Sequence, residues 1–315
     1  MKRVICAMFA FAALAGAASA QAPSPAPLPF VLKQIGHGVY AAIDGPEHKA
    51  GSNAGFVIGD DGVLVVDSFF NLDAARALVA EIHRLTPKPI RYVVNTHYHL
   101  DHTGGDEVLH KAGAIIIAHR NVRGWVRTNN VNLFGDRITP EIRTQIAAVP
   151  LPDVTTDKDL TVWLGSRKVV VRTALGHTGG DLTIFVPDAK VLFTGDLLWR
   201  KVPPNLIDGS VTEWTATDAD FIRIADAIVF VPGHGDVADR KDVEDFRKYL
   251  LDLRALVAKG RKACLAGDAL ANQVTPKLRA LHPDWTISDR AAAADVRYMD
   301  QELAGTKKRP VPQPD

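Results

Sequence analysis

Four apolar β-type segments of this chain each run straight into a glycine-bearing turn that carries histidine or aspartate. Ile90–Asn95 leads into Thr96-His97-Tyr98-His99-Leu100-Asp101-His102 and then Gly104-Gly105. Val169–Ala174 leads into Gly176-His177-Thr178-Gly179-Gly180-Asp181, Val191–Thr194 into Gly195-Asp196, and Ile228–Val231 into Pro232-Gly233-His234-Gly235. One histidine at a strand end is usually a hydrogen-bonded surface residue; four such ends are a far more specific signal. His97 and His99 point to one side of an extended chain, because side-chain direction repeats every two residues. Leu100 lets the chain turn, so Asp101 and His102 address the same space from another angle, and Gly104-Gly105 is expected to supply a tight turn. Imidazole and carboxylate are ligands of Zn²⁺ and related divalent ions. The seven candidates His97, His99, Asp101, His102, His177, Asp196 and His234 exceed the four ligands of one tetrahedral zinc, so the arithmetic points to two ions.

The rest of the chain supplies the scaffold. Gly38–Asp44, Gly55–Ile58 and Val63–Asp67 read as short strands separated by Gly and Asp turns. Asn71 caps a helix on which Ala75, Leu78, Ile82 and Leu85 recur until Pro87. Asp106–Lys111 reads as a short helix ended by Gly113, and Ala114–Ala118 as a buried strand. The stretch after it reads as loop-rich. A hairpin of Leu160–Leu164 and Lys168–Ala174 follows, then strands Leu182–Val186 and Val191–Thr194. Helices are expected over Thr212–Ala225, Asp239–Lys259, Ala269–Leu281 and Asp289–Leu303. Runs of strands with helices between them predict an α/β fold of two packed sheets with helices outside.

The chain divides into a leader at 1–20, a Pro-rich linker at 21–30, a principal domain at 31–260, and a helical extension with tail at 261–315. Lys2, Arg3, the apolar run Val4–Ala17 and Ala18-Ser19-Ala20 have the form of a secretory signal cleaved after Ala20. The expectation is a periplasmic or secreted protein without a stable membrane anchor, acting on a small-molecule substrate. A formal charge of +1 gives no electrostatic footprint for nucleic acid. Cys6 leaves with the leader, so Cys264 stands alone and is expected to be a buried structural thiol. The Lys307–Pro312 tail is expected to be disordered.

Taken in order, Leu64-Val-Val-Asp67, His97-x-His99-x-Asp101-His102, Gly176-His177-Thr178, Thr194-Gly195-Asp196 and Pro232-Gly233-His234-Gly235 resemble the signature elements of the metallo-β-lactamase superfamily of hydrolases. The resemblance covers roughly residues 36–250. It implies an αβ/βα sandwich of two mixed β-sheets with the metals at one edge. It further implies that His97, His99 and His177 hold a first zinc, that Asp101, His102 and His234 hold a second, and that Asp196 bridges both. Asp67 resembles the family's strand-end aspartate, which orients the ligand loop without touching metal.

Two Zn²⁺ sharing a water lower its pKa toward roughly 7, so the expected nucleophile is a bridging hydroxide. Asp101 is the expected residue to orient or shuttle its proton. The chain carries no nucleophile elbow, P-loop or dinucleotide fingerprint. A di-iron oxidoreductase version of the fold is disfavoured by His99, because those enzymes place an acid there. The substrate is harder to read. Cysteine-type β-lactamases of the family carry Cys where Asp196 stands, whereas lactonases and glyoxalase-type thioesterases carry His where Asp181 stands. Three features lean toward a β-lactam: the 80-residue spacing of His97 and His177, the flap-like Gly45–Gly51, and Pro204-Asn205-Leu206-Ile207-Asp208. In that reading Asn205 faces the substrate carbonyl and Arg200 or Lys201 holds a substrate carboxylate. The alternatives are a lactonase or thioesterase with the same ions, or a non-catalytic metal-binding accessory protein. His48 is a possible substrate contact; His37, His83, His110, His119 and His282 match no ligand motif.

Overall fold

The computed structural model describes residues 27–224 and 228–312. The leader and the first part of the Pro-rich linker lie outside the described residues. The strands are β1 (Phe30–Gly36), β2 (Val39–Asp44), β3 (Ala54–Ile58), β4 (Val63–Val66), β5 (Ile90–Val94), β6 (Ile115–His119) and β7 (Val154–Thr156), followed by β8 (Leu160–Leu164), β9 (Arg167–Ala174), β10 (Asp181–Val186), β11 (Val191–Trp199) and β12 (Val229–His234). The helices are α1 (Leu72–Leu85), α2 (Leu100–Thr103), α3 (Asp106–Lys111), α4 (Arg120–Phe134), α5 (Pro140–Ala148), α6 (Val211–Arg223), α7 (Arg240–Lys262), α8 (Gly267–Leu281) and α9 (Asp289–Leu303).

Two mixed sheets form. One runs β1-β2-β3-β4-β5-β6-β7 and the other β12-β11-β10-β9-β8. Strand alternation divides the apolar residues between layers. On β4, Leu64 and Val66 join the core between the sheets with Val94, Val169, Leu182 and Phe193. Their neighbours Val63 and Val65 face outward to Leu78 and Ile82 of α1 and Leu109 of α3. Outside the second sheet, Trp214 and Phe221 of α6 share a core with Phe246, Leu250 and Leu253 of α7. The result is helix, sheet, sheet, helix, which is the expected αβ/βα sandwich.

Several local expectations are corrected. The linker ends before Phe30, because Phe30 is buried, opens β1 and stacks on Phe69 at 5.2 Å. The loop-rich stretch after β6 folds as α4 and α5, packed through Trp125, Val122 and Ile146 against Tyr98 and Leu100. Gly104 and Gly105 have φ of −62° and −92°, so no left-handed turn requires them. They are needed for close approach instead: a Cβ on Gly105 would overlap the Ser68 carbonyl. Cys264 is exposed, not buried. Residues 307–311 are tied to the body by hydrogen bonds, although Lys308 and Val311 stay exposed. Arg309 Nε donates to the Asp208 carbonyl at 3.0 Å, and Trp125 Nε1 donates to the Val311 carbonyl at 2.8 Å. The 261–303 extension shares the α6–α7 core through Leu270, Val274, Leu278, Val296 and Met299. Among the described residues, no helix is long and apolar enough to cross a membrane.

Candidate metal centre

The ends of β5, β9 and β12 meet at one edge of the sandwich beside Asp196, and all seven candidate ligands gather there. β11 does not end at Thr194 as expected but runs on to Trp199, with its pairing register broken at Gly195. His97, His99, His177 and Asp196 form one group, and Asp101, His102, Asp196 and His234 another; within each, one ligand atom per residue lies within 4.8 Å of every other. Asp196 belongs to both. Its Oδ2 lies 3.3 Å from His177 Nε2 and 3.8 Å from His97 Nε2, whereas Oδ1 lies 3.0 Å from His102 Nε2 and 3.5 Å from His234 Nε2. One carboxylate therefore turns one oxygen to each set.

Glycines permit this approach. Gly195 has φ of +52°, which a side chain rarely adopts, and a Cβ there would overlap Thr96. A Cβ on Gly233 would overlap Asp196 Oδ1 itself. Asn53 closes the edge by donating Nδ2 to the carbonyls of Pro232 at 2.8 Å and Gly235 at 2.7 Å.

Carboxylates and a hydroxyl fix the outer edges of the imidazoles. His102 Nδ1 lies 2.9 Å from Asp67 Oδ2, while Thr96 donates both its N–H and its hydroxyl to Asp67. Thr96 Oγ1 in turn lies 3.0 Å from His97 Nδ1. Asp67 thus sets two ligands, one directly and one through Thr96. Asp208 holds a third ligand: its Oδ2 lies 3.2 Å from His99 Nε2 and accepts from Tyr98 OH. His99 is left presenting Nδ1, 3.0 Å from His177 Nε2. Trp199 stacks on His234 with ring centroids 4.0 Å apart. Asp181, at the position where the resemblance departs, accepts from the backbone N–H of His177 and Thr178, and so shapes the turn that carries His177.

This donor set fits a divalent cation. His97 Nε2, His102 Nε2, His234 Nε2 and Asp196 Oδ1 are buried and face one another without an aligned hydrogen-bond partner. Buried polar atoms left so are costly unless something else engages them. Burial, followed by the positive charge of His102, drives His97 well below the usual imidazole pKa, and burial takes His177 down to about 3. Neutral imidazole is the metal-binding form. In the other set burial also opposes charge, but Asp196 and Asp101 outweigh it and hold His234 up at about 9. His102 is likewise raised against its burial by Asp196, Asp101 and Asp67. Buried Asp196 and half-buried Asp101 together call for positive charge there, which a metal ion would supply.

A cleft of about 920 Å³ opens over this edge. His99, Asp101 and Asn205 line it. Asn205 is exposed at the rim, where its Oδ1 accepts from the Ile207 N–H. Gly51, at the end of the flap-like segment, also lines it, whereas His48 points to solvent and pairs with Asp44. Arg200 and Lys201 are not brought to the cleft. Arg200 Nε pairs with Asp242 at 2.9 Å, and Lys201 Nζ with Asp284 at 2.9 Å, along a separate groove beside α7. Adjacent acids claim both cations, which proximity to Asp196 in sequence could not reveal.

The sequence model of the metallo-beta-lactamase superfamily matches residues 49–234. A linear primary-alkylsulfatase from Pseudomonas sp. is 24% identical over 233 residues, covering 62% of this chain and 44% of that protein. A hydroxyacylglutathione hydrolase from Brucella ovis is 30% identical over 142 residues, covering 45% of this chain and 44% of that protein. The chain therefore spans less than half the length of these curated relatives. Among solved structures, a metallo-beta-lactamase from Pontibacter korlensis superposes with TM-score 0.56 at 22% identity, covering 70% of this chain and 99% of its own. A stereoselective inverting sec-alkylsulfatase from Pseudomonas sp. superposes with TM-score 0.68 at 19% identity, covering 88% of this chain and 50% of its own.

Proposed function

The chain belongs to the metallo-β-lactamase superfamily of hydrolases, and from that premise we propose that it is a two-zinc enzyme cleaving the carbonyl bond of a cyclic amide or ester. The observation that carries the reading is the division of Asp196, one oxygen toward His97 and His177 and the other toward His102 and His234. His97, His99 and His177 would hold one ion, Asp101, His102 and His234 the other, and Asp196 both. When bound, paired zinc ions supply Lewis acidity and make water acidic enough to ionise near neutral pH.

The chain's own groups supply the rest. Asp101 is the ligand candidate most open to the cleft, and its Oδ2 lies 3.2 Å from His234 Nε2. In this reading Asp101 would orient the nucleophile and shuttle its proton toward a leaving group. Asn205, at the cleft rim, would in the same reading donate its amide to oxygen that gains charge in the transition state. Phe70 and Leu100 add apolar surface to the cleft wall.

Two observations favour a thioester or other open-chain ester as a second reading within the same chemistry. One relative is named a hydroxyacylglutathione hydrolase. The cations expected to hold a β-lactam carboxylate, Arg200 and Lys201, are paired elsewhere. A β-lactam is left supported by Asn205 and the flap-like segment. The leader-like residues 1–20 support a periplasmic or secreted setting. The deciding assay sets nitrocefin, a lactone, a thioester and an alkyl sulfate side by side on zinc-loaded protein. Turnover of a carbonyl substrate that chelator abolishes and zinc restores is the expected result. Metal binding without turnover of any would replace the enzyme by a metal-binding accessory protein.

A further inference from the structure

The cleft does not end at the candidate ligands. Its far wall is built by α8 and α9, which lie beyond the matched region that stops at His234. On α9, Arg290, Ala293, Ala294 and Arg297 all line the cleft, and Arg137 joins them from the 3₁₀ turn after α4. Positions i, i+3, i+4 and i+7 share one helix face. The two α9 arginines therefore stand about 10 Å apart along the axis, with only alanine methyls between them.

None of the three guanidiniums is ion-paired among the described residues. Arg137 reaches only the Leu133 carbonyl, and Arg297 lies 4.8 Å from the centre of the Tyr298 ring. The acids on this wall are Asp268 and Asp300, and Asp300 is already held by Arg261. Three arginines against one uncommitted carboxylate leave the wall cationic. The same cleft is lined by the apolar side chains Phe70, Leu133 and Phe134, with Leu270 on the α8 wall. Guanidinium forks match carboxylate, sulfate and phosphate oxygens, and arginine is the residue suited to bidentate recognition of such groups.

Resting on the hydrolase reading above, we propose that the α9 arginines form a specificity site for an oxyanion at the end of the substrate away from the scissile bond. The substrate class this describes has a reactive end at the metal edge, an apolar body across the cleft, and a carboxylate or similar anion against Arg290 and Arg297. The helical extension then selects substrate in addition to covering the second sheet.

Calorimetric titration of zinc-loaded protein with straight-chain dicarboxylates, from glutarate to dodecanedioate, tests this against monocarboxylates of equal length. At one or two lengths the dicarboxylate should bind about 10-fold more tightly, the worth of one charge-assisted hydrogen-bonded pair. That gain should vanish in the Arg290→Gln/Arg297→Gln variant, with monocarboxylate affinity unchanged; both residues are exposed, so folding should survive. No gain at any length, or a gain that persists in the variant, overturns the proposal. Loss of monocarboxylate binding on zinc removal reports separately on the metal edge. That dependence can fail while the arginine dependence holds, and the reverse, so the two readings stand or fall apart.

Discussion

Asp67, just past the end of β4, and Asp196, inside β11, are both buried, and both touch histidines of the cluster. What separates them is the face of the imidazole each one meets. Asp67 meets His102 at Nδ1, on the edge turned away from the cluster, and accepts two further hydrogen bonds from Thr96. Asp196 meets the inward Nε2 atoms of His97, His102 and His177. Asp196→Ala should accordingly abolish turnover, whereas Asp67→Asn and Asp208→Asn should each cost roughly 10–100-fold in zinc affinity or kcat/KM. Zinc titration and steady-state kinetics on the three variants check the order. Equal losses at Asp67 and Asp196 would show that ligand and support are mis-sorted. The seven ligand candidates were legible because each ends an apolar run inside a short motif. Asp208 was noticed only as the end of a loop segment, and its partnership with His99, 109 residues away, is set by how β5 and the loop before α6 pack. Trp199 and Asn53 escaped for the same reason: their partners exist only after the sheets have met.

Elements were legible wherever apolar periodicity was strong. α1, with Asn71 accepting from the Asp73 N–H, and α9 lie where the spacing places them. α4 was not, because Arg, Asn and Gly interrupt its pattern and its buried face meets Tyr98 and Leu100 of the ligand loop as well as Ala118 of β6. The tail misled for a related reason. Lys307 and Arg309 look like solvated charge, yet Lys307 Nζ donates to the Gly209 carbonyl and Arg309 pairs with Glu213 at 2.8 Å. The α7–α9 layer carries its own pH dependence. Burial raises the Asp295 carboxyl from 3.8 to about 8 despite its 2.6 Å hydrogen bond from Tyr249. The folded state keeps this proton where the unfolded chain releases it. Its stabilising contribution is therefore complete below about pH 4 and is lost as pH rises to 8, at no more than about 1.4 kcal/mol per pH unit. Denaturant melts of Asp295→Asn at pH 5 and 8 should show a smaller loss of stability between the two than the unsubstituted protein. Parallel losses would remove Asp295 as the cause.

At the scale of the molecule, the sandwich brings parallel pairs from both sheets to a single edge. The β5 and β6 pairing belongs to one sheet and the β11 and β12 pairing to the other. Bonds such as Leu182 N–H to the Thr96 carbonyl at 2.7 Å and Asn53 N–H to the Gly233 carbonyl at 2.8 Å lock the two sheets together there. The alternation of strands and helices predicted the two-sheet class. It could not predict that α8 and α9 would complete a cleft wall, because helix periodicity reveals an apolar face without revealing what covers it. The central claim is that this edge holds two metal ions sharing Asp196. Elemental analysis of protein purified without chelator and equilibrated with zinc tests it most directly. Two ions per chain, falling to one or fewer in Asp196→Ala, is the expected result; a single ion per chain in the fully active, unsubstituted protein would contradict it.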